Sequence, residues 1–589
     1  LLRLLALLAK DPAIASLLVE LGISKVICEG FSYYEDRRRV LIPMMQLATV
    51  IAEADENKQV LLGDDAVRLA LASLDAYRSD AEAVASNLEF HVVMSRASLC
   101  YAAYEATRCV ELTLELLEEH QEKVSVCKPG LLLLLNLAAR DTRCERYNNE
   151  RALKAILGVL QTHGDHELLQ TIGCQLLEVL CSHSSVCGLL IHLEAVHLVC
   201  GAVNQFIGNR VVQVCGNNVL SSMMTDETCV AAMLNHGVIY THVAVLGSCA
   251  EDEDVQTAVL RADASLCDIP MGCTSFFNEG GLLRVFAAMT RFCDNPELLS
   301  FCCDIISHCL HTIAQDDTFP VLLHNDCMKL VLNILDRLHA HVQCQNSALG
   351  VLREMMLQPE YQNQFVECDG PEIFERSILN DRMLDTAARS VVMIMHSLVQ
   401  SAKMCKNLLR LKLLSNVIAV VELFPGSKRV NKSASVMWEM ATRNKELATA
   451  LLDTELVPSL VRIMNAYRKS YVQAPLMQSY QHLLSASEKR AALLMIDSSV
   501  VEACATSLKA FTSSADVVRP CVDVLITLIG YEESYARMLS VPLLPDLVTA
   551  IAQEGQSESI QNQCVVLLEK LMFLPGSKLS LRSVADVRV

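Results

Sequence analysis

The chain has 589 residues, a formal net charge of −19 and 52% hydrophobic residues, with only 22 Gly and 15 Pro. Low Gly and Pro beside abundant Leu, Ala and Val leaves little room for disorder or long linkers and favours packed helices over sheets. The acidic balance argues against nucleic acid as the general partner, because phosphate binding depends on neutralising Lys and Arg.

Along the chain an apolar phrase recurs, starting at Ile23, Ala66, Cys109, Ala152, Ala195, Val238, Leu282, Cys327, Pro371, Asn416, Val457, Val500 and Leu544, at spacings of 41 to 45 residues. After Ala66 its apolar residues are Val67, Leu69, Leu71 and Leu74; after Ala195 they are Val196, Leu198, Val199 and Val203. Such a stripe has helical periodicity, and a fixed period in this range marks a helical solenoid in which each unit buries its apolar face on its neighbours. Each unit is predicted to run as a short helix, a longer apolar helix, a turn, and then the helix that begins at the anchor. The junctions read alike, as in Leu21-Gly22-Ile23, His236-Gly237-Val238 and Gly280-Gly281-Leu282, with Val457-Pro458-Ser459-Leu460 echoed by Leu544-Pro545-Asp546-Leu547. Gly there permits the positive φ that ends a helix, and Pro suits the first turn of the next. Two stretches depart from the pattern. At 247–281 the acidic run Glu251-Asp252-Glu253-Asp254 and Asp268-Ile269-Pro270 predict an extended loop or distorted repeat, and 463–490 carries Tyr467, Arg468, Lys469 and Pro475.

With these phrases the chain resembles the armadillo-repeat family over residues 1–575, with 576–589 as a basic tail. HEAT-type repeats are the near alternative, but their Asp/Arg ladder is not found. The resemblance implies an all-α, right-handed superhelical solenoid of about thirteen armadillo-like repeats whose third helices line a concave groove. Import receptors of that family use repeated Trp and Asn pairs. The lone Trp438 departs from this, reads as core, and puts import-cargo recognition in doubt.

The 25 cysteines are scattered singly through apolar stripes, which reads as reduced, buried thiols in a cytoplasmic protein. The longest apolar run, Leu131–Leu135 with Leu137–Ala139, falls well short of the ~20 residues of a membrane span. A start at Leu1, with neither Met nor a signal pattern, reads as a fragment or processed form. No phosphate-cradling loop, nucleophile elbow or metalloprotease helix is found, so no enzyme activity and no cofactor is expected. Cys302, Cys303, His308, Cys309 and His311 are the nearest approach to a metal set, but one helix cannot turn them all to one point, and no zinc is expected.

Binding residues are sought two positions after each anchor, where the side chain points off the apolar stripe. Of the first eight such residues five are basic: Lys25, Arg68, Lys154, Arg284 and Lys329, with His197 and Tyr240 between them and Glu111 as the exception. If the anchor helices are the groove helices, this is a basic ladder for an extended acidic segment; otherwise it is a solvated face. A second candidate is the segment 403–432, where Lys403, Lys406, Arg410, Lys412, Lys428, Arg429 and Lys432 face the single acid Glu422. A third is Arg37-Arg38-Arg39 beside Tyr33 and Tyr34. The function expected is a non-catalytic scaffold or adaptor that presents a long groove to one or more proteins, without nucleic acid or membrane insertion. The alternatives are a structural part of a large cytoskeletal or ciliary, microtubule-associated assembly, and a regulatory array fused to a catalytic domain elsewhere in a longer product.

Overall fold

The computed structural model describes residues 1–589 apart from 34–37, 142, 225–226, 314, 379–381, 402–407, 410–411, 554–556 and 576–589, and apart from the side chains of residues 32, 33, 38, 315–317, 319 and 323. The chain is 80% helical, and the described residues contain no strand. It divides into two units, Leu1–Ala288 and Met289–Val589. Both are helical solenoids built from the same three-helix motif.

Every anchor falls at or within the first turn of a helix, from Ile23–Tyr33, Ala66–Ala76 and Cys109–Glu119 to Leu456–Ala466, Val500–Ala510 and Leu543–Ala552. The order inside a repeat differs from the one predicted. A short helix precedes the anchor helix directly and the long helix follows it, as in Ser184–His192, Ala195–Gln205 and Arg210–Met223. The anchor helix is therefore the middle helix of three.

In the first unit the long helices Arg38–Ile51, Ala81–Ser95, Val124–Ala138, Glu167–Cys181, Arg210–Met223 and Glu253–Cys267 pack successively on one another. The second unit repeats this with Pro296–Thr312, Val342–Met355, Asp385–Gln400, Lys428–Arg443, Ser470–Ala486, Ala515–Leu528 and Glu558–Met572. Burying a Leu, Val or Ile side chain contributes roughly 1.5–3 kcal/mol, so an apolar stripe repeated at one spacing drives one stacking register. Of the 24 described cysteines 21 are buried, as Trp438 is, and none forms a disulfide. No single described helix is long and apolar enough to cross a membrane.

Polar side chains set the ends of the elements. Asn209, Asp252 and Asn295 precede long helices and accept from the backbone N–H groups of Val212, Val255 and Leu298 at 3.1, 3.2 and 2.9 Å. Further in, the buried amides of Gln170, Gln213 and Gln256 donate to the carbonyls of Leu160, Val203 and Leu246 at 2.8, 2.8 and 3.0 Å. Each amide thereby ties the end of a middle helix to the long helix after it.

Two predicted distortions are regular repeats instead. Over 247–281 the helices Glu253–Cys267 and Pro270–Asn278 form normally, because Asp252 caps the first and Pro270 occupies the first position of the second. Over 463–490 the helix Ser470–Ala486 runs through Pro475, its sixth residue, at the cost of one backbone hydrogen bond. An irregular place is 139–149, where no helix forms among the described residues between Val124–Ala138 and Glu150–Thr162. Buried Tyr147 fills that space, and its hydroxyl donates to the Leu134 carbonyl at 3.1 Å.

Candidate functional site

The basic ladder lies on middle helices. Lys25, Arg68, Lys154, His197, Tyr240 and Arg284 are exposed in the first unit and Lys329 in the second. Three of these cations are tied to acids at the start of their own helix. Arg68 Nε lies 2.5 Å from Asp65, Lys154 Nζ 2.6 Å from Glu150, and Lys329 Nζ 3.1 Å from Asp326. Hydrogen bonding to Asp326 raises Lys329 above the ordinary lysine range, and Lys154 lowers Glu150 in the same way. Such exposed pairs contribute little to stability, yet they locally cancel the charge that made the row basic. His197 Nδ1 lies 2.7 Å from Nε2 of His236, and Tyr240 is 71% exposed. The Arg284 guanidinium rests against Gly247 of the preceding middle helix, where a Cβ would meet its Cζ at 3.0 Å. Since the resemblance assigns the groove to third helices, these residues belong to a different row.

Basic side chains elsewhere on the middle helices are likewise used for stitching. Arg151 reaches Glu118 at 2.9 Å in the first unit, and in the second Arg376 reaches Asp336 at 2.7 Å and Arg462 Nε reaches Glu422 at 3.0 Å. Of the segment 403–432, Lys403, Lys406 and Arg410 lie outside the described residues. Lys412, Lys428, Arg429 and Lys432 are exposed, the last three on the first turns of the long helix Lys428–Arg443. Arg39 is exposed, while Tyr34, Arg37 and the side chains of Tyr33 and Arg38 are outside the description. Cys302, Cys303 and Cys309 are buried, and His311 points to Glu354 at 3.6 Å. Among the described residues no three His, Cys, Asp or Glu side chains converge as a metal would require.

The row of long helices carries polar residues that the offset of two did not reach. At 23 positions after successive anchors stand Gln46, Glu89, Leu132, Gln175, Asn218 and Arg261; the first two are exposed and the others half-buried. Bonds run between neighbouring helices along this row. Asn218 donates to Glu178 at 2.6 Å, Arg261 donates to the Asn218 side-chain carbonyl at 2.9 Å, and the Ser221 and Ser265 hydroxyls meet at 3.0 Å. The second unit has a comparable row. There the Thr386 hydroxyl donates to Asn346 at 2.5 Å, Gln481 donates to Asp523 at 2.9 Å, and Thr442 and His482 lie 3.3 Å apart. Burial pushes the Asp523 carboxyl up and the His396 and His482 imidazoles down. The signal was present in the sequence as the same period read at a different offset.

A cavity of about 520 Å³ opens beside the irregular stretch, lined by Tyr101, Glu105, Arg140, Arg143, Arg146 and others. Two of its cations are engaged. Arg146 donates to the carbonyls of Tyr104 at 3.4 Å and Thr107 at 3.2 Å, and Arg140 donates to those of Ser95 and Arg96, each at 2.5 Å. They cap the C-terminal ends of neighbouring helices.

No protein-family profile matches the chain, and no curated protein matches it. Solved structures do. One, from work on a phosphorylation switch that controls the interaction between cadherin and beta-catenin, superposes with a TM-score of 0.66 at 13% identity, over 85% of this chain and 98% of that one. Another, a crystal structure of an engineered protein, gives 0.53 at 15% identity, over 72% of this chain and 99% of the other. The chain has an armadillo-like helical repeat fold.

Proposed function

We propose that this chain is a non-catalytic scaffold that holds an extended segment of a partner protein along its row of long helices. The observation that carries the reading is the set Gln175, Asn218 and Arg261, half-buried at a 43-residue interval, with Asn218 bonded to Arg261 on the next long helix and to Glu178 on the one before. Packed helices lie about 8–10 Å apart and an extended chain advances about 3.3 Å per residue, so one rung meets every third residue of a ligand. Amide and guanidinium side chains offer donors and acceptors to a peptide backbone as well as to side chains. A solenoid of like fold in a structure concerned with a protein–protein interaction supports the same reading. Buried thiols that form no disulfide among the described residues support a reducing compartment such as the cytoplasm as its place of work.

The test is capture of the native partner on the whole chain, followed by hydrogen exchange of the complex. Protection is expected in Glu167–Cys181, Arg210–Met223 and Glu253–Cys267. The triple variant Gln175→Ala, Asn218→Ala, Arg261→Ala is expected to weaken binding roughly tenfold at unchanged helicity. Reversing Arg68, Lys154 and Arg284 to Glu is expected to leave binding nearly intact. Protection confined to the middle helices would reverse the assignment.

A further inference from the structure

We infer that a basic and aromatic patch on two adjacent long helices of the second unit docks an acidic peptide segment through its carboxylates, an inference that rests on the scaffold reading above. Lys428, Arg429 and Lys432 stand exposed on the first turns of Lys428–Arg443. Arg468 and Lys469 stand exposed immediately before the next long helix, Ser470–Ala486, which packs on the first. Two stretches far apart in sequence thus become one surface. Lys432 Nζ sits 5.8 Å from the centre of the Tyr471 ring, and the hydroxyls of Tyr471 and Tyr467 are 3.1 Å apart.

These five cations cluster on one surface, and none of them pairs with a carboxylate among the described residues. Nearby Arg462 and Arg490 are both engaged, by Glu422 and Asp453. An unpaired cluster in a chain of net charge −19 is a local positive field, strengthened by the N-terminal ends of two long helices. Tyrosine hydroxyls beside it add neutral donors, which suits carboxylates.

The occupant is a peptide rather than a nucleic acid for two reasons. The patch spans only two helices, about 10 Å, which accommodates a few carboxylates but no track of phosphates. One face of Tyr471 is already covered by Lys432 and is closed to base stacking.

Fluorescence anisotropy on the whole chain tests this, with a short labelled peptide carrying a run of Asp and Glu as the probe. The variant Lys428→Glu, Arg429→Glu, Lys432→Glu is expected to lose at least roughly tenfold in affinity at about 50 mM salt, and the loss should shrink as salt is raised. Tyr471→Ala, on the neighbouring helix, is expected to lose severalfold. The control Lys25→Glu, Arg68→Glu, Lys154→Glu changes net charge equally and is expected to lose far less. Equal weakening by the control, or an oligonucleotide of equal charge that binds the wild type more tightly than the peptide, overturns the patch. If the patch variant binds the probe normally while the native partner still protects the long helices, the scaffold reading stands and only this docking site falls.

Discussion

Just before the middle helices, single residues adopt left-handed backbone conformations: Gly22, Gly237 and Gly280, but also Asp65, Glu194, Asp326, Asp369 and Ser499. An L residue there costs about 1–2 kcal/mol, which the packing of the following helix offsets. Glu194→Gly is expected to stabilise the chain by about 1 kcal/mol, and Gly237→Ala to destabilise it similarly. No atom lies within 4 Å of a Cβ built at Gly237, so that loss would report backbone conformation rather than a clash. Urea unfolding of both variants measures the pair, and equal stabilities for wild type and Gly237→Ala would contradict it. A second residue acts through pH. His91 is fully buried, its Nδ1 lies 3.0 Å from the Tyr104 hydroxyl, and burial pushes its pKa down to about 3. The folded state keeps it neutral while the unfolded chain takes up a proton below about 6.5, so stability is present above that pH and lost as pH falls toward 3. The slope from this group approaches about 1.4 kcal/mol per pH unit inside that window. Thermal melts at several pH values should show a shallower acid slope for His91→Gln than for wild type.

Among the elements, the period of the apolar phrase located all thirteen middle helices but not their place in the repeat. A period has no phase: short–long–middle and short–middle–long give the same spacing, and helices of 11 and 14 residues are not separated by periodicity alone. That ambiguity leaves the basic ladder on the middle helices, whereas the resemblance assigns the groove to the third helices. The acidic run at 251–254 was misread because carboxylates favour loops and helix N-termini alike. In the fold Asp252 caps Glu253–Cys267 and also accepts from Arg210 Nε of the neighbouring long helix at 2.8 Å. The patch joining Lys432 to Tyr471 could not be read from spacing, since it forms only when two long helices pack. Asp252→Ala removes a cap and an inter-helix bond together and is expected to cost about 1–2 kcal/mol. Hydrogen exchange should show the loss first in the opening turns of Glu253–Cys267 and Arg210–Met223. An unchanged exchange pattern there would mean that the cap is not needed.

At the scale of the molecule, contacts run mainly from each helix to its counterpart in the next repeat, so stability is close to a sum of repeat and neighbour terms. From Val342–Met355 to Ala515–Leu528 each long helix of the second unit packs on a long helix at either flank, whereas the last, Glu558–Met572, packs on Ala515–Leu528 and Leu543–Ala552. Its far side already exposes Val566 at 42%, and Phe573 just beyond the helix is 87% exposed. Ending the chain before Glu532 removes Tyr535–Ser540, Leu543–Ala552 and Glu558–Met572 and uncovers apolar surface on Val500–Ala510 and Ala515–Leu528. A globular core would collapse under such a cut, because its parts share one interior. In a solenoid only the newly terminal repeat loses a neighbour. Circular dichroism of the truncated chain is therefore expected to show helicity reduced in proportion to the residues removed, with a modestly lower melting temperature and a greater tendency to associate through the new apolar end. Loss of most of the helical signal would instead show that the repeats depend on contacts beyond their neighbours.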